Sequence, residues 1–450
     1  MKKIITYGTY DLLHFGHIQL LKRARELGDY LIVGVTSDDF DRSRGKINVR
    51  QSLMERIEAV RQTGLADEII VEEYEGQKID DIRQYGIDIF TVGSDWEGKF
   101  DYLKEFCDVV YLGRTSGVSS SLLRSKENLI NIGLAGNMPY LRKFINESKY
   151  INGVTVNGIY NKNKKEISDD FLKEITFTTD SFEELLDHSD AVYIVTPPQE
   201  HYSQIKKALN MGKHVLCESP ICFSPEECKE LFKIADKKNL ILFDSIKTAF
   251  STAYYRMILL AKSGKIGNIV SIDSTCTSLR NHESADNNKI LNCWNSISAW
   301  GPTAMLPIFQ LLGSEFKRAD IYCLMGNEEF NYDNFTKIAF LYSNAVASIK
   351  VGQGVKSEGE LIISGTKGYI YVPAPWWKTD YFELRYENQN DNKRYFYQLE
   401  GEGIRNEILS FVRAIEHKSH ITVNRKESIA FCKIMQRIRD GKDIYYLESK

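Results

Sequence analysis

The chain has 450 residues, too many for one ordinary hydrophobic core, so two or three domains are expected. It is 43% hydrophobic and 26% charged with a net charge of −3, which excludes extensive disorder and gives no charge basis for binding nucleic acid or a membrane surface. No apolar run approaches the length of a membrane span. The eight cysteines contain no C-x-x-C pair, and the nearest group, Cys217, Cys222 and Cys228, lacks a usual zinc spacing. With no signal-peptide pattern before the first strand, a cytoplasmic protein with reduced thiols and no resident metal is the expectation.

In chain order, Ile4-Ile5-Thr6-Tyr7 reads as a strand and the stretch from His17 as a helix. Residues 30–35 form an apolar run of buried-strand type. A helix is predicted over 52–63, a strand over 68–71, a helix over 78–85, and strands over 87–92 and 108–112. This alternation predicts a parallel sheet covered by helices, which binds ligands beyond the carboxyl ends of its strands. Two segments at that edge carry chemistry. His14-Phe15-Gly16-His17 follows the first strand and opens a helix, where Gly16 lets the backbone come close and the free N–H groups face an anion. Its two imidazoles add donors for charge building on a transferring phosphoryl group. After the last strand, 114–121 joins a cation, Arg114, to a Gly and a hydroxyl cluster, the parts of a second anion cradle. Two cradles at one sheet edge favour a nucleoside triphosphate.

The stretches Tyr7-Gly8-Thr9-Tyr10-Asp11-Leu12-Leu13-His14-Phe15-Gly16-His17, Gly93-Ser94-Asp95-Trp96-Glu97-Gly98-Lys99-Phe100-Asp101 and Arg114-Thr115-x-Gly117-Val118-Ser119-Ser120-Ser121 resemble the glycerol-3-phosphate cytidylyltransferase family of the H-x-G-H nucleotidyltransferases. The resemblance implies attack by a substrate phosphate on the α-phosphate of CTP with Mg²⁺, releasing pyrophosphate. By the same resemblance, His14, His17, Lys46 and Arg114 are the catalytic set. Thr9, Tyr10, Asp11, Gly16, Gly93, Asp95, Trp96, Thr115, Ser119 and Ser120 bind the nucleotide, and Arg44, Lys46, Arg61 and Lys78 serve the acceptor. One position departs from the family: Gly64 stands where an Arg is usual late in the helix, with Arg61 one turn earlier. That leaves the acceptor open between glycerol phosphate and another polyol or sugar phosphate.

Beyond the short polar junction 126–128 a second alternation begins, with strands over 129–136, 154–160, 191–196 and 214–217 and helices over 139–147, 181–187 and 201–211. After about residue 250 the pattern changes to strands over 269–277, 337–341, 345–351, 359–363 and 368–372, closed by a helix over 406–415. The expected class is α/β: a Rossmann-like nucleotidyltransferase domain over 1–126, a second Rossmann-type domain over 129–248, and an α+β open-sheet domain over 249–450.

The second half resembles the glucose-fructose oxidoreductase and inositol dehydrogenase (Gfo/Idh/MocA) family through Asp190-Ala191-Val192-Tyr193-Ile194-Val195-Thr196-Pro197-Pro198, His201 and Gly212-Lys213-His214-Val215-Leu216-Cys217-Glu218-Ser219-Pro220. That resemblance places NAD(P) on Gly136, Thr196, Pro197, Glu218 and Pro220. The dinucleotide fingerprint keeps only Gly136, however, with Met138 and Leu141 in the later glycine positions. The family's Glu-Lys-Pro lysine is Ser219, and 297–313 contains neither Asp nor His for proton transfer. Two functions follow from these readings. One is a cytidylyltransferase making a CDP-polyol for a surface polymer such as capsule or teichoic acid, with an inactive oxidoreductase-like domain. The other is a bifunctional enzyme that reduces a keto-sugar phosphate with NAD(P)H and then cytidylylates it. A homodimer is expected from both families, and the aromatic pair Trp376-Trp377 and the lone His201 and His282 read as packing or surface residues before catalysts.

Overall fold

The computed structural model describes residues 1–13, 15–43, 49, 51–74, 76–113, 129–136, 138–151, 153–161, 175–279, 294–327, 332–397, 399, 401–417 and 423–448. Two compact units divide the chain, Met1–Leu129 and Ile130–Lys450.

The first unit is built on five strands: β1 (Lys3–Gly8), β2 (Tyr30–Thr36), β3 (Glu68–Glu72), β4 (Ile89–Gly93) and β5 (Asp108–Leu112). They pair in parallel in the order β3-β2-β1-β4-β5. The period of two along a strand sends neighbouring side chains to opposite faces. Ile4 of β1 therefore joins one core with Leu21, Leu31, Val33 and Val60, while Ile5 joins another with Ile32, Ile82, Phe90 and Leu103. Helix Leu53–Gln62 begins at a reciprocal cap, in which Ser52 accepts from the Glu55 N–H and Glu55 accepts from the Ser52 N–H. It ends at Gly64, whose φ of 65° is the left-handed backbone that favours glycine after a helix. The family's arginine at this position would be strained there, which gives the departure a local cause. The chain order reverses between β1 and β4, so the loops leaving these two strands flank the crevice where ligands bind in such sheets.

The second unit holds two sheets. The first runs β11-β10-β9-β6-β7-β8, all parallel where paired, from β6 (Ile130–Gly136), β7 (Val154–Tyr160), β8 (Phe177–Thr179), β9 (Ala191–Val195), β10 (His214–Glu218) and β11 (Leu242–Ser245). The second is a nine-stranded mixed sheet built from β12 (Ile269–Thr277), β13 (Arg318–Asn327), β14 (Tyr332–Leu341), β15 (Val346–Gly352), β16 (Leu361–Gly365), β17 (Tyr369–Val372), β18 (Tyr381–Arg385), β19 (Lys393–Phe396) and β20 (Ile444–Tyr446), in the order β19-β18-β17-β16-β12-β15-β14-β13-β20. Three differences from the sequence reading stand out. Helix Ser296–Leu312 and helix Arg425–Arg439 are long elements that the reading passed over, because the former is apolar on every side and carries two prolines. Helix Pro225–Lys238, strands β13 and β18 and the edge strand β19 likewise add to the expected elements. The boundary expected at 248/249 is also not clean. Cys432, on helix Arg425–Arg439, lies in the core of the parallel sheet with Cys222, Cys228 and Leu231, so the chain's last helix returns to the sheet it left.

Candidate active site

The carboxyl edge of the first sheet is organised by a residue that the sequence reading missed. Arg56, fully buried, donates to the carbonyls of Thr9 at 2.7 Å, Thr36 at 2.8 Å and Gln51 at 3.2 Å. It also pairs with Asp38 at 2.5 Å and with the buried Asp41 at 3.7 Å. One guanidinium thus ties the loops leaving β1 and β2 to the short helix Asp38–Ser43. Nothing in local sequence marks it, since a lone Arg amid an amphipathic helix reads as a solvated face. Its signal is positional: it sits one residue before the inward-facing Ile57, on the turn next to the capping box.

Around that clamp the residues after β1 take fixed places. The Thr9 hydroxyl donates to Asp41 at 3.1 Å, the Gln51 N–H donates to the Asp11 carboxylate at 3.0 Å, and the Leu12 N–H donates to the Gln51 side chain at 2.7 Å. Tyr10 and Leu12 sit at φ 52° and 47°, left-handed conformations that side chains seldom adopt and that this loop holds by these bonds. Tyr10 is only 2% exposed. Its ring lies over Gly8, where a Cβ would meet it at 3.0 Å, and meets the His17 ring edge-on at 5.5 Å between centroids. Tyr10 is thus buried against His17. His17 stands in the first turn of helix Phe15–Arg25, directly beyond the carboxyl end of β1.

Across the crevice, β4 leads into a single turn, Ser94–Trp96. Gly93 has ordinary extended backbone, φ −63° and ψ 151°, and a Cβ there would meet nothing within 4 Å. Neither strain nor packing accounts for this glycine. Trp96 is more than a third exposed, with Lys99 over its ring at 5.0 Å. Asp95 lies on the same turn.

The acceptor residues are placed less uniformly. Lys78 is buried, paired with Glu72, and stacked over Tyr7 at 4.7 Å and Phe100 at 5.5 Å from the ring centroids. Tyr7 donates to Asp81 at 2.7 Å, and burial together with that carboxylate holds its hydroxyl well above the usual phenol range. The charge of Lys78 is thus already matched within the unit. Arg61 is exposed and paired with Glu58 at 2.5 Å, on the solvent side of its helix. His14, Arg44, Lys46, Arg114, Thr115, Ser119, Ser120 and His282 lie outside the described residues.

In the second unit the chain order reverses between β6 and β9, and the expected cofactor residues gather at the carboxyl ends of those strands and of β10. Gly136 has a φ of 127°, and a Cβ there would lie 2.3 Å from the Val195 carbonyl carbon and 2.6 Å from the Thr196 nitrogen. The approach of β9 alone therefore requires this glycine. Thr196 donates to Gln204 at 2.7 Å, and Pro197 caps helix Pro198–Asn210. His201 is fully buried, with its ring nitrogens 2.8 Å from the carbonyls of Thr196 and Pro220, and burial pushes its pKa down. It is a cross-link between two loops, as the reading of a lone histidine anticipated.

Glu218 meets Tyr193 at 3.2 Å and Ser245 at 3.3 Å, and Ser245 donates onward to the buried Glu407 at 2.8 Å. Burial, with repulsion from Glu218, raises Glu407 to about 8, and burial raises Glu218 above its ordinary value. Lys247 is held by Glu402 at 2.7 Å, and Glu402 also takes Lys143 and Lys378. Helix Ser296–Leu312, covering 297–312 where the family carries its proton-transfer pair, presents a buried apolar surface. Trp376 is core, 1% exposed and donating to the Thr275 carbonyl at 3.1 Å.

A family model described as cytidylyltransferase-like matches residues 5–126. The glycerol-3-phosphate cytidylyltransferase of Staphylococcus aureus is 47% identical over 131 residues, which is 28% of this chain and 95% of that protein. Through its first unit, this chain belongs to the glycerol-3-phosphate cytidylyltransferase family. The enzyme of the same name from Bacillus spizizenii is 48% identical over 129 residues, with 28% and 95% covered. By family the protein is a nucleotidyltransferase. A second model, described as the oxidoreductase family with an NAD-binding Rossmann fold, matches residues 130–245. KijD10, a 3-ketoreductase from Actinomadura kijaniata solved with NADP and TDP-benzene, superposes with a TM-score of 0.63 at 17% identity, covering 71% of this chain and all of that one. That likeness is one of fold. Among the described residues no helix is long and apolar enough to cross a membrane.

Proposed function

We propose that the protein transfers a cytidylyl group from CTP to a polyol phosphate of the glycerol phosphate class, with release of pyrophosphate. The observation that carries this reading is the crevice between β1 and β4. The first turn of the helix that carries His17 follows β1 and the Ser94–Trp96 turn follows β4, with the loop after β1 held by Arg56. In this reading His17, with His14, donates to the α-phosphate as charge spreads over its oxygens. The helix N-terminus offers backbone N–H groups to the same anion. Trp96 and the open space at Gly93 border the nucleotide, and Lys46 and Arg44 meet the acceptor. Mg²⁺ enters with the triphosphate and offsets its charge. A CDP-polyol destined for a surface polymer, made in the cytoplasm by a homodimer, is the fuller form of this reading.

The second unit is proposed to keep an oxidoreductase fold without its hydride chemistry. Gly136 is accounted for by strand packing, and Leu141, at the last glycine position of the fingerprint, is buried in the core. Ser219 replaces the lysine, and Lys247 is engaged by Glu402. These residues do not fit a dinucleotide that must be turned over.

The test is pyrophosphate release from CTP with a panel of polyol and sugar phosphates, alongside NADPH fluorescence quenching. Release with at least one acceptor, lost in His17→Ala, is expected. No release with any acceptor overturns the transferase reading. NADPH oxidation with a keto-sugar phosphate overturns the inactive second unit in favour of the bifunctional enzyme.

A further inference from the structure

Three cysteines that cytidylyl transfer does not use meet inside the second unit. Cys222 follows β10, Cys228 lies on helix Pro225–Lys238, and Cys432 lies on helix Arg425–Arg439. Each is no more than 1% exposed, and their sulfurs all lie within 4.8 Å of one another, with Cys222 and Cys432 at 3.5 Å. Cys432 is 210 residues from Cys222, so spacing in the sequence hid the group.

We propose that Cys222, Cys228 and Cys432 form a binding site for a thiophilic d¹⁰ metal ion, Zn(II) or Cu(I), held by three thiolates. Thiolates select these ions over the hard cations. A metal–sulfur distance of about 2.3 Å separates the sulfurs by roughly 3.8–4.0 Å in tetrahedral or trigonal geometry. The Cys222–Cys432 separation of 3.5 Å falls just short of that range and all three sulfurs lie within 4.8 Å of one another, so the ion fits with small side-chain adjustment. A disulfide would use two sulfurs and leave the third idle, whereas convergence of three from separate segments suits an ion.

Binding releases the three thiol protons to solvent, and the ion takes their place. Zn(II) then leaves one negative charge on the cluster and Cu(I) two. The bound ion would fasten the chain's last helix to the loop that follows β10.

The experiment uses the full-length protein, purified without chelator and analysed for bound metal by mass spectrometry. About one zinc or copper ion per chain is expected, because such affinity is also folding energy. Unfolding and refolding with Cd(II) is expected to give a sulfur-to-metal charge-transfer band, retained in Cys107→Ser and lost in Cys222→Ser/Cys432→Ser. If the double variant does not fold, alkylation of the parent before and after chelation decides. Chelation must expose three further thiols. Zinc against copper content separates the two ions. The proposal is overturned if the protein binds none of these metals after supplemented growth and refolding, or if mass spectra show a Cys222–Cys432 disulfide.

Discussion

Replacing Arg56 with Met is expected to loosen the whole carboxyl edge of the first sheet. The side chain is fully buried, and its loss removes a cation 3.7 Å from the buried Asp41 carboxylate while the carbonyls of Thr9 and Thr36 lose charged donors at 2.7 and 2.8 Å. The Asp38 pair adds little, since that carboxylate is 39% exposed. Removing one partner of a buried ion pair costs about 3–5 kcal/mol. At 1.4 kcal/mol per tenfold, this is roughly two to three and a half powers of ten in local opening. Hydrogen exchange read by mass spectrometry on peptides covering 3–13 and 30–43 measures that opening directly, separately from the second unit. Exchange there should quicken by about that factor. Cytidylyl transfer should fall with it, because Thr9 and Asp11 lose their anchor. Exchange within threefold of the parent, with transfer intact, would refute the argument that Arg56 holds the loop frame.

Three other perturbations test separate links. His17→Ala should lower pyrophosphate release by on the order of 10²–10³, the effect of removing one preorganised donor, with the fold of the first unit retained by circular dichroism. Gly136→Ala puts a Cβ 2.3 Å from the Val195 carbonyl carbon at a φ of 127°. It should destabilise the second unit by about 2–5 kcal/mol, strain and overpacking together, seen as a lower thermal midpoint for that unit. Glu407, Asp244 and Glu427 are buried acids raised to about 8, 7 and 7. Between about pH 4 and those values the unfolded chain has released protons that the folded unit keeps. Stability of the second unit should therefore fall as pH rises from 5 to 8, and Glu407→Gln should flatten that slope. A thermal midpoint that rises over the same range would count against the burial argument.

The elements nearest the first site were legible because each signal there is local. Strand period and the H-x-G-H stretch each lie within a few residues. The parallel alternation then implies which edge carries the ligand. The second half was less legible. Helix Ser296–Leu312 is apolar on every side and shows no amphipathic period.

By itself, the sequence determined the two Rossmann-type units, their order, and the residue types offered to a phosphate. Only the tertiary structure decided which groups meet across long separations. Arg56 reaches Thr9 and Thr36, and Glu407 reaches Ser245, 162 residues away. Cys432 closes on Cys222. The physical reason is that local pattern encodes which face of an element is buried, whereas the partner on that face is set by how the elements pack. Buried charges and thiols acquire their chemistry from that partner.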